Sequence, residues 1–315
     1  MKSYLLLSLA FFLSCSTVKK TDAQEETQLL KDVKILSSDE YQGRKTGTKG
    51  AEMSRSYLSE RFKKIGIKPF TAFPDYEQSF SFKRGSAANT PEIAGKNMIG
   101  YIQGKTDDVI VISAHYDHVG VIKEEVYNGA DDNASGVAGL LHIAAYFAKH
   151  KPNHTLVFAS FDAEEMGLQG AKAFVAKPPV AIDKIQMNVN MDMISHNDKS
   201  ELYACGTFKY PELKKYFILK SNDIKVLFGH DDPKQGHDDW TNQSDQGAFN
   251  AKNIPFLYFG VEDHKDYHKA TDEYQNINKT FFNNAATAIL EITNNIDKEI
   301  DIQKIFKENL QMKKQ

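Results

Sequence analysis

The chain has 315 residues and carries 39 Lys and Arg against 42 Asp and Glu, which leaves a formal net charge of −3. This balance excludes the general basic field that nucleic-acid-binding proteins use, so we expect no nucleic-acid partner. The hydrophobic fraction of 41% is close to that of ordinary globular chains and excludes a disordered or fibrous protein. Two cysteines are too few for a disulfide framework.

The first fourteen residues have the features of a secretory signal peptide. Lys2 precedes an apolar run at residues 4–13, which only Ser8 interrupts. This run is too short to cross a bilayer as a helix, which takes about 20 apolar residues. A polar stretch at residues 16–24 follows, and it gives a buried N-terminal helix nothing to pack against. We therefore expect an exported chain from which residues 1–14 are removed.

The end of this segment, Leu13-Ser14-Cys15, resembles a bacterial lipobox, in which the cysteine becomes the lipidated first residue of the mature protein. Phe12 stands where leucine is more usual, and the alternative is plain secretion with a free Cys15. With lipidation, residues 15–24 form a tether that anchors the protein to a membrane of the bacterial cell envelope, on its periplasmic or surface face. Residues 25–315 show no repeat and no low-complexity linker, so we expect them to form one domain.

The hydrophobic pattern of that domain predicts an α/β fold. Residues 25–58 read as helix, glycine-rich turn and helix, and two β runs follow at 78–82 and 96–102. Beyond them, apolar strands alternate with helices, and strands with so little polar alternation are covered on both faces. The expected fold is a mixed, largely parallel central sheet flanked by helices on both faces. The later strands are predicted at 109–114, 155–161, 185–191 and 254–261, and the later helices at 136–150 and 280–296.

Asp, Glu and His residues follow these strands one after another. Paired acidic residues usually lie on a solvated surface, but random scatter would not place such residues after strand upon strand. In open α/β sheets ligands bind beyond the carboxyl ends of the strands, so these side chains are expected at one edge of the sheet. Nitrogen and carboxylate donors without thiolate suit zinc or a similar divalent ion, and their number favours two metal ions. The Asp, Glu and His residues that follow the predicted strands or open the helix at 136–150 are His115, Asp117, His118, Asp131, Asp132, Asp162, Glu164, Glu165, Asp192 and His268.

These residues stand in five segments: AHYDH at 114–118, GADDNASG at 129–136, EEMGLQG at 164–170, NMDM at 190–193 and YHKATD at 267–272. Their order and spacing resemble those of the co-catalytic two-zinc aminopeptidases, family twenty-eight of the metallopeptidases. The resemblance covers about residues 32–296. It implies a single catalytic domain of the zinc-dependent exopeptidase type at residues 25–315. Together with the lipobox-like sequence, it indicates a bacterial lipoprotein member of the family.

The resemblance also implies two divalent metal ions, with zinc favoured. His115 and Asp192 hold one ion, Glu165 and His268 hold the other, and Asp132 bridges both. The implied activity is hydrolysis of the N-terminal peptide bond of peptides that have a free N-terminus.

Further residue roles come from the same resemblance. The residues alone leave Asp131 and Asp132 open as the bridging ligand, and the resemblance selects Asp132, after which the family commonly has a cis peptide bond. Asp117 is expected to accept the second ring N–H of His115 and so fix its tautomer. Glu164 is expected to be the general base. Tyr267 either donates a hydrogen bond to the developing oxyanion or forms an aromatic wall of the cleft.

Three other functions remain open on this scaffold. A carboxypeptidase needs a cation, usually arginine, for the substrate carboxylate, and no arginine follows Arg84. A glutaminyl-peptide cyclotransferase uses a single zinc with most of the same ligand motifs, but the known examples have tryptophan where Tyr267 stands. A non-catalytic, lipid-anchored binding module should lack ligands, and none is missing.

One polar, turn-rich segment, residues 229–245, is a candidate specificity loop. It contains Trp240, the single tryptophan of the chain. A solvated connection is the alternative interpretation, and we expect His237 and Asp239 to lie on the surface. Cys205 is expected to be a small buried side chain.

Overall fold

The computed structural model describes residues 26–85, 89–221 and 223–299, together with Ile302 and Phe306. The predicted signal peptide, Cys15 and the tether lie outside the described residues. Within the described ranges there are six α-helices. They are α1 Gln28–Leu36, α2 Lys49–Ile65, α3 Gly136–Phe147, α4 Gln169–Ala176, α5 Gln246–Asn250 and α6 Lys279–Asp297.

The same ranges contain eleven β-strands. They are β1 Lys68–Pro69, β2 Glu77–Lys83, β3 Glu92–Ile102, β4 Val109–His115, β5 Gly120–Ile122, β6 Glu125–Tyr127, β7 Thr155–Phe161, β8 Ile185–Met191, β9 Glu201–Cys205, β10 Lys225–Phe228 and β11 Phe256–Gly260.

Local sequence explains where the longer helices begin and end. The side chains of Thr27, Thr48 and Asn278 accept hydrogen bonds from backbone N–H groups in the first turns of α1, α2 and α6. The second helix was predicted to end near Leu58, but it continues to Ile65 because its sequence contains no helix breaker before Gly66. That glycine has a φ of 91°, which suits the left-handed end of a helix.

Nine of these strands form one mixed sheet in the order β1-β3-β7-β4-β8-β11-β9-β10, with β2 paired to β3, and β5 and β6 form a separate two-stranded antiparallel sheet. The four central strands, β7, β4, β8 and β11, run parallel to one another. The pairings of β3 with β7 and of β9 with β11 are antiparallel. The predicted mixed sheet is therefore confirmed, and its parallel part lies at the centre, where four carboxyl ends share one edge.

Helices cover both faces of this sheet. Along β4, Ile110 and Ile112 belong to the apolar cluster that also contains residues of α1, α2, α3 and α6. Val109 and Val111 point to the opposite face and belong to a second cluster with residues of α4 and α5. Because both faces are buried, β4 and β7 are apolar at nearly every position, which made these strands recognisable in the sequence.

Within the described ranges, none of the helices is both long and apolar enough to cross a bilayer. Cys205 is completely buried and unpaired, which confirms the expectation for this thiol.

Candidate metal centre

The predicted ligands come together at the carboxyl edge of the four parallel strands. His115 is the last residue of β4, and Glu164 and Glu165 follow β7 by three and four positions. Asp192 comes directly after β8, and His268 lies in the segment beyond β11. Each side chain thus projects from a strand end or from the loop that follows it, as the topological argument requires.

One group of donor atoms surrounds His115. Its Nε2 lies 3.2 Å from Asp192 Oδ1 and 3.5 Å from Asp132 Oδ1. Glu164 lies in the same group, and its carboxylate, like that of Asp192, has an oxygen within 4.8 Å of His115. His115 is almost completely buried, so its contacts with these carboxylates are shielded from solvent.

A second group surrounds His268 and Glu165. His268 Nε2 lies 3.0 Å from Asp132 Oδ2 and 3.4 Å from Glu165 Oε1. His118, which the family resemblance does not assign as a ligand, joins this group with its Nδ1 2.8 Å from Glu165 Oε1. Asp132 therefore presents one carboxylate oxygen to each group, which is the geometry of a bridging ligand.

The carboxylate of Asp131 points elsewhere. Its Oδ1 accepts hydrogen bonds from the backbone N–H and the hydroxyl of Ser195, at 2.6 and 2.8 Å. Its Oδ2 lies 2.9 Å from His264 Nε2. Both oxygens are therefore occupied within the protein, and of the two adjacent aspartates only Asp132 faces the donor groups. The peptide bond between Asp132 and Asn133 is cis, as the family resemblance implies.

The turn that carries Asp132 is packed closely against β8. Asn133 donates from Nδ2 to the carbonyl of Met191 at 3.0 Å and accepts from the backbone N–H of Gly136 at 2.9 Å. A Cβ on Gly136 would lie 2.3 Å from Asn133 Oδ1, so the start of α3 requires glycine there. Asp272 accepts from the backbone N–H of Asp132 at 3.0 Å and fixes the turn from the other side.

The contact expected between Asp117 and His115 exists, but the carboxylate does not make it. His115 Nδ1 lies 3.1 Å from the backbone carbonyl of Asp117 and 3.8 Å from its carboxylate. The carboxylate instead accepts from the backbone N–H groups of Glu164 at 3.0 Å and Glu165 at 3.4 Å. Asp117 therefore contacts the second ring nitrogen of His115 as predicted, but through its backbone carbonyl, because two N–H donors after β7 compete for the carboxylate. Asp117 thus orients the loop that carries both glutamates.

Asp162 also lies beside the site without facing either donor group. Its carboxylate accepts from Thr46 Oγ1 at 2.7 Å and from the backbone N–H of Lys96 at 2.9 Å. Asp162 therefore connects the loop after β7 with β3 and with the segment before α2.

Arg44 is a site residue that the sequence did not indicate. Its guanidinium is completely buried and donates only to backbone carbonyls, on the end of α1, the segment after β4 and the turn before α3. Burial lowers the pKa of Arg44 to about 10, against the opposite influence of Asp132 and Asp272, so the group stays charged at neutral pH. The carbonyl acceptors belong to Leu36, Tyr116, Asn128, Gly129 and Asp132.

The electrostatic balance of the site is that of a cation-binding centre. Burial raises the pKa of Glu164 well above its usual range, and the negative charges of Asp192, Asp245 and Glu165 raise it further, against the influence of His115. Burial likewise raises the pKa of Asp245, whose two oxygens have no hydrogen-bond partner in the described structure, to about 7. Carboxylates so crowded and so poorly compensated fit a centre that binds divalent cations.

The histidines respond to the same carboxylates. Burial acts to lower the pKa of His115, but Asp192 and Glu164 raise it well above the usual range. Hydrogen bonds to Asp132 and Glu165 raise the pKa of His268 to about 10. A metal ion requires the neutral form of an imidazole ligand. When a metal cation, instead of a proton, balances the negative charge of the carboxylates, His115 and His268 are available in that form.

The two donor groups open into a cleft of about 350 Å³. Glu164 and Tyr267 both line it, and the Tyr267 ring is stacked on His268 with the ring centroids 4.1 Å apart. Burial and the charges of Asp132 and Asp192 raise the pKa of Tyr267, so its hydroxyl stays protonated and can donate. This position fits both roles considered for Tyr267.

The 229–245 segment reaches the cleft through Asn242 and Gln243, which lie on its wall. Asn242 also lines an adjoining apolar pocket of about 440 Å³, together with Leu168 and residues of α4 and α5. His237 is exposed as expected, whereas Asp239 is half-buried and accepts from the backbone N–H of Thr241 at 3.0 Å.

Stacking between two aromatic rings holds the 229–245 segment in place. His230 lies parallel to Trp240 with ring centroids 3.7 Å apart, and its two ring nitrogens contact Asp238 at 3.0 Å and Glu262 at 3.1 Å. The segment is therefore an ordered wall of the cleft, not only a solvated connection.

The sequence contained a signal for His118 but none for Arg44. His118 stands in the same AHYDH run as His115, and its position after a buried strand could have marked it as a ligand. The arginine lies far from every strand end in sequence, and its role depends on the tertiary packing of three separate segments.

Comparison with known proteins supports the same family. The model of Peptidase family M28 matches residues 97–293. The vacuolar membrane protease of Schizosaccharomyces pombe is 31% identical over 198 residues, which are 60% of this chain and 22% of that protein. Leucine aminopeptidase 2 of Trichophyton rubrum is 30% identical over 213 residues, which are 59% of this chain and 41% of that protein. The chain thus spans less than half the length of these curated relatives.

Solved structures show the same fold at low sequence identity. A zinc aminopeptidase from Bacillus subtilis has a TM-score of 0.67 at 14% identity, over 84% of this chain and 94% of that one. A glutaminyl cyclase from Bacteroides thetaiotaomicron bound to N-acetylhistamine has a TM-score of 0.64 at 18% identity, over 86% of this chain and 97% of that one. Because both reactions occur on this fold, the fold alone does not choose between them.

We predict that Arg44→Met lowers the free energy of unfolding by about 3 kcal/mol or more, because each buried carbonyl left without its donor costs about 1–3 kcal/mol. Urea unfolding followed by circular dichroism measures the change. Arg84→Met is the matched control, since Arg84 is exposed and its removal should change stability by no more than about 0.5 kcal/mol. Equal stability of the two variants would contradict the structural role of Arg44.

Proposed function

The chain belongs to peptidase family M28, and from this we propose that it is an aminopeptidase that hydrolyses the N-terminal peptide bond of peptides. The observation that carries the proposal is the pair of donor groups that share Asp132 at the floor of one cleft. Two complete groups favour a two-metal peptidase over a glutaminyl-peptide cyclotransferase, which needs one zinc.

We propose that the cofactors are two divalent cations, with zinc favoured by the mixture of imidazole and carboxylate donors. His115, Asp132 and Asp192 would hold one ion, and Asp132, Glu165 and His268 the other. Bound there, such ions polarise a substrate carbonyl and lower the pKa of a water molecule. The similarity in fold to a zinc aminopeptidase from Bacillus subtilis supports the choice of metal.

Glu164 is proposed as the general base. It lines the cleft, it is adjacent in sequence to Glu165, and its carboxylate lies near His115 and Asp192. The backbone N–H of Glu164 donates to Asp117, which fixes the direction of the loop. From this position Glu164 would take a proton from the attacking water and pass it to the leaving amine, and its raised pKa suits a group that must do both.

The arginines support an aminopeptidase over a carboxypeptidase. Arg44 is buried on backbone carbonyls, and Arg55 and Arg61 pair with Glu77 and Asp32 outside the cleft. The cleft wall described above contains acidic residues and no arginine. With two divalent ions bound, these acidic residues are largely neutralised, so the argument rests on the described wall having no arginine or lysine that could pair with a terminal carboxylate.

We expect the chain without residues 1–24 to release the N-terminal residue from aminoacyl anilides and from short peptides with a free amine. A chelator should abolish the release, and Zn²⁺ should restore it. The panel includes N-acetylated peptides and peptides with an N-terminal glutamine, with released amino acid and pyroglutamate measured separately. Pyroglutamate as the main product, together with one zinc ion per chain, would instead establish the cyclotransferase.

Glu164→Gln provides the control for the base within the same assay. The variant should keep both metal ions, because Glu164 is not one of the proposed ligands, while kcat falls by roughly two to four orders of magnitude. Activity close to that of the unaltered protein would remove Glu164 from the mechanism.

The two roles considered for Tyr267 make different predictions for Tyr267→Phe. Loss of an oxyanion donor should lower kcat by about 100- to 1000-fold with little change in KM. An aromatic wall should keep kcat within a few fold, because phenylalanine preserves the stacking on His268. Steady-state kinetics on one anilide substrate separates the two outcomes, and we propose the first.

We propose that the protein is exported and anchored to a cell-envelope membrane through lipidated Cys15. The lipobox-like sequence Leu13-Ser14-Cys15 supports this proposal. Cys15→Ser should move the protein from the membrane fraction to the soluble fraction after cell lysis and abolish labelling with a radioactive fatty acid. Unchanged labelling and fractionation would reject Cys15 as the anchor.

A further inference from the structure

We infer that His118 is a direct metal ligand and completes a four-donor site with Asp132, Glu165 and His268. This inference rests on the proposed two-metal function and adds a residue to the ligand set that the family resemblance implies. His118 follows the ligand His115 by three positions, and its side chain is buried beside the second donor group.

The four donor atoms all lie within 4.8 Å of one another, close enough to share one ion. His118 Nδ1 lies 2.8 Å from Glu165 Oε1 and 3.7 Å from Asp132 Oδ2. His268 Nε2 lies 3.0 Å from the same aspartate oxygen and 3.4 Å from the same glutamate oxygen. Zinc–ligand distances of about 2.0–2.2 Å place tetrahedral ligand atoms about 3.3–3.6 Å apart. The two shortest contacts are hydrogen-bond distances, so the four atoms would surround one ion after these two pairs separate by about half an ångström.

The orientation of the His118 ring also favours coordination. Its polar contacts all lie on the side that faces the other three donors, whereas Nε2 on the opposite side is buried and has no hydrogen-bond partner in the described structure. The His118 and His268 rings are inclined at 60° with centroids 5.7 Å apart, so they are not stacked and each directs one nitrogen toward the two carboxylates.

Close packing keeps the ring in this orientation. Gly129 begins the turn that carries Asp132, and a Cβ at this position would lie 2.5 Å from Cδ2 of His118. The absence of a side chain at Gly129 therefore allows the His118 ring to approach the bridging carboxylate. The same turn supplies both the ligand Asp132 and the space for His118.

A fourth protein ligand makes the two ion sites unequal. The site of His115, Asp132 and Asp192 has three protein donors and keeps an open position, as catalytic zinc sites do. The site of His118 has four protein donors, so its ion would act on water or substrate by expanding to five-coordination, as catalytic zinc sites do in some transition states. The four-donor site should therefore bind its ion more tightly, and the three-donor site should exchange its ion first.

Metal titration tests the inference without relying on catalysis. The purified full chain is stripped of metal and titrated with Zn²⁺ against a chromogenic chelator. We expect two sites of unequal affinity. His118→Ala should weaken the tighter site by more than about 100-fold, a larger effect than the 10- to 100-fold that the loss of an outer hydrogen bond produces. His150→Ala is the matched control, since His150 is exposed and contacts Tyr146 in the last turn of α3, far in sequence from the proposed ligands.

A second variant gives a spectroscopic readout that a purely positioning role would not produce. His118→Cys places a thiolate at the same position, and with Co²⁺ a coordinating thiolate gives an intense sulfur-to-cobalt absorption band in the near ultraviolet. The unaltered chain, which contains the buried Cys205, should lack this band. Circular dichroism confirms that each variant is folded.

The possible results separate this inference from the proposed function. If the unaltered chain binds two ions and hydrolyses peptides, but His118→Ala leaves both affinities within about 100-fold and His118→Cys gives no new band, His118 only positions Glu165 and the inference is overturned. If the unaltered chain fails to bind two ions, the two-metal function and this inference fall together.

Discussion

The arrangement of the metal centre depends on one buried cation. Arg44 contributes no ligand, yet its guanidinium donates to the segment after β4, to the turn before α3 and to the end of α1. These segments carry the proposed ligands or support them, and the arginine is the donor for most of their inward-facing carbonyls, although that of Gly129 also accepts from the N–H of Ala134. The same positive charge lies beneath a cluster of carboxylates and offsets part of their repulsion. A guanidinium suits both tasks because it has five donors in a fixed plane and stays charged.

Most of the fold could be predicted from the sequence, because the central strands are buried on both faces. β4 and β7 are buried along their whole length and mostly apolar, and a polar residue at or just after the end of each strand marks its carboxyl end. Parallel strands bring those ends to one edge, so positions far apart in the sequence, such as His115 and Asp192, could be expected to meet. The antiparallel strands at the flanks were less predictable, since their partners depend on tertiary packing rather than on a local pattern.

The details of the centre depend on directions that a sequence does not contain. A carboxylate such as that of Asp117 has several donors within reach, and only the fold determines that the N–H groups of the glutamate loop are nearer than the ring of His115. The choice between Asp131 and Asp132 similarly depends on which side chain meets Ser195 and which faces the cleft. Asp245 is distant from every ligand in sequence and reaches the site only because α5 packs against the sheet.

The strand order also determines how the chain can reach its native state. The pairing β3–β7 joins residues that are 54 to 62 positions apart and the pairing β8–β11 residues that are 68 apart, and β4 enters the sheet between strands that follow it in sequence. The entropy of closing these long loops is lost before the pairings can compensate for it, so the sheet forms slowly compared with a helical bundle of this size. A chain that folds slowly stays unfolded for longer after synthesis. For the export proposed above, this delay would give the chain time to cross a membrane before its tertiary structure closes.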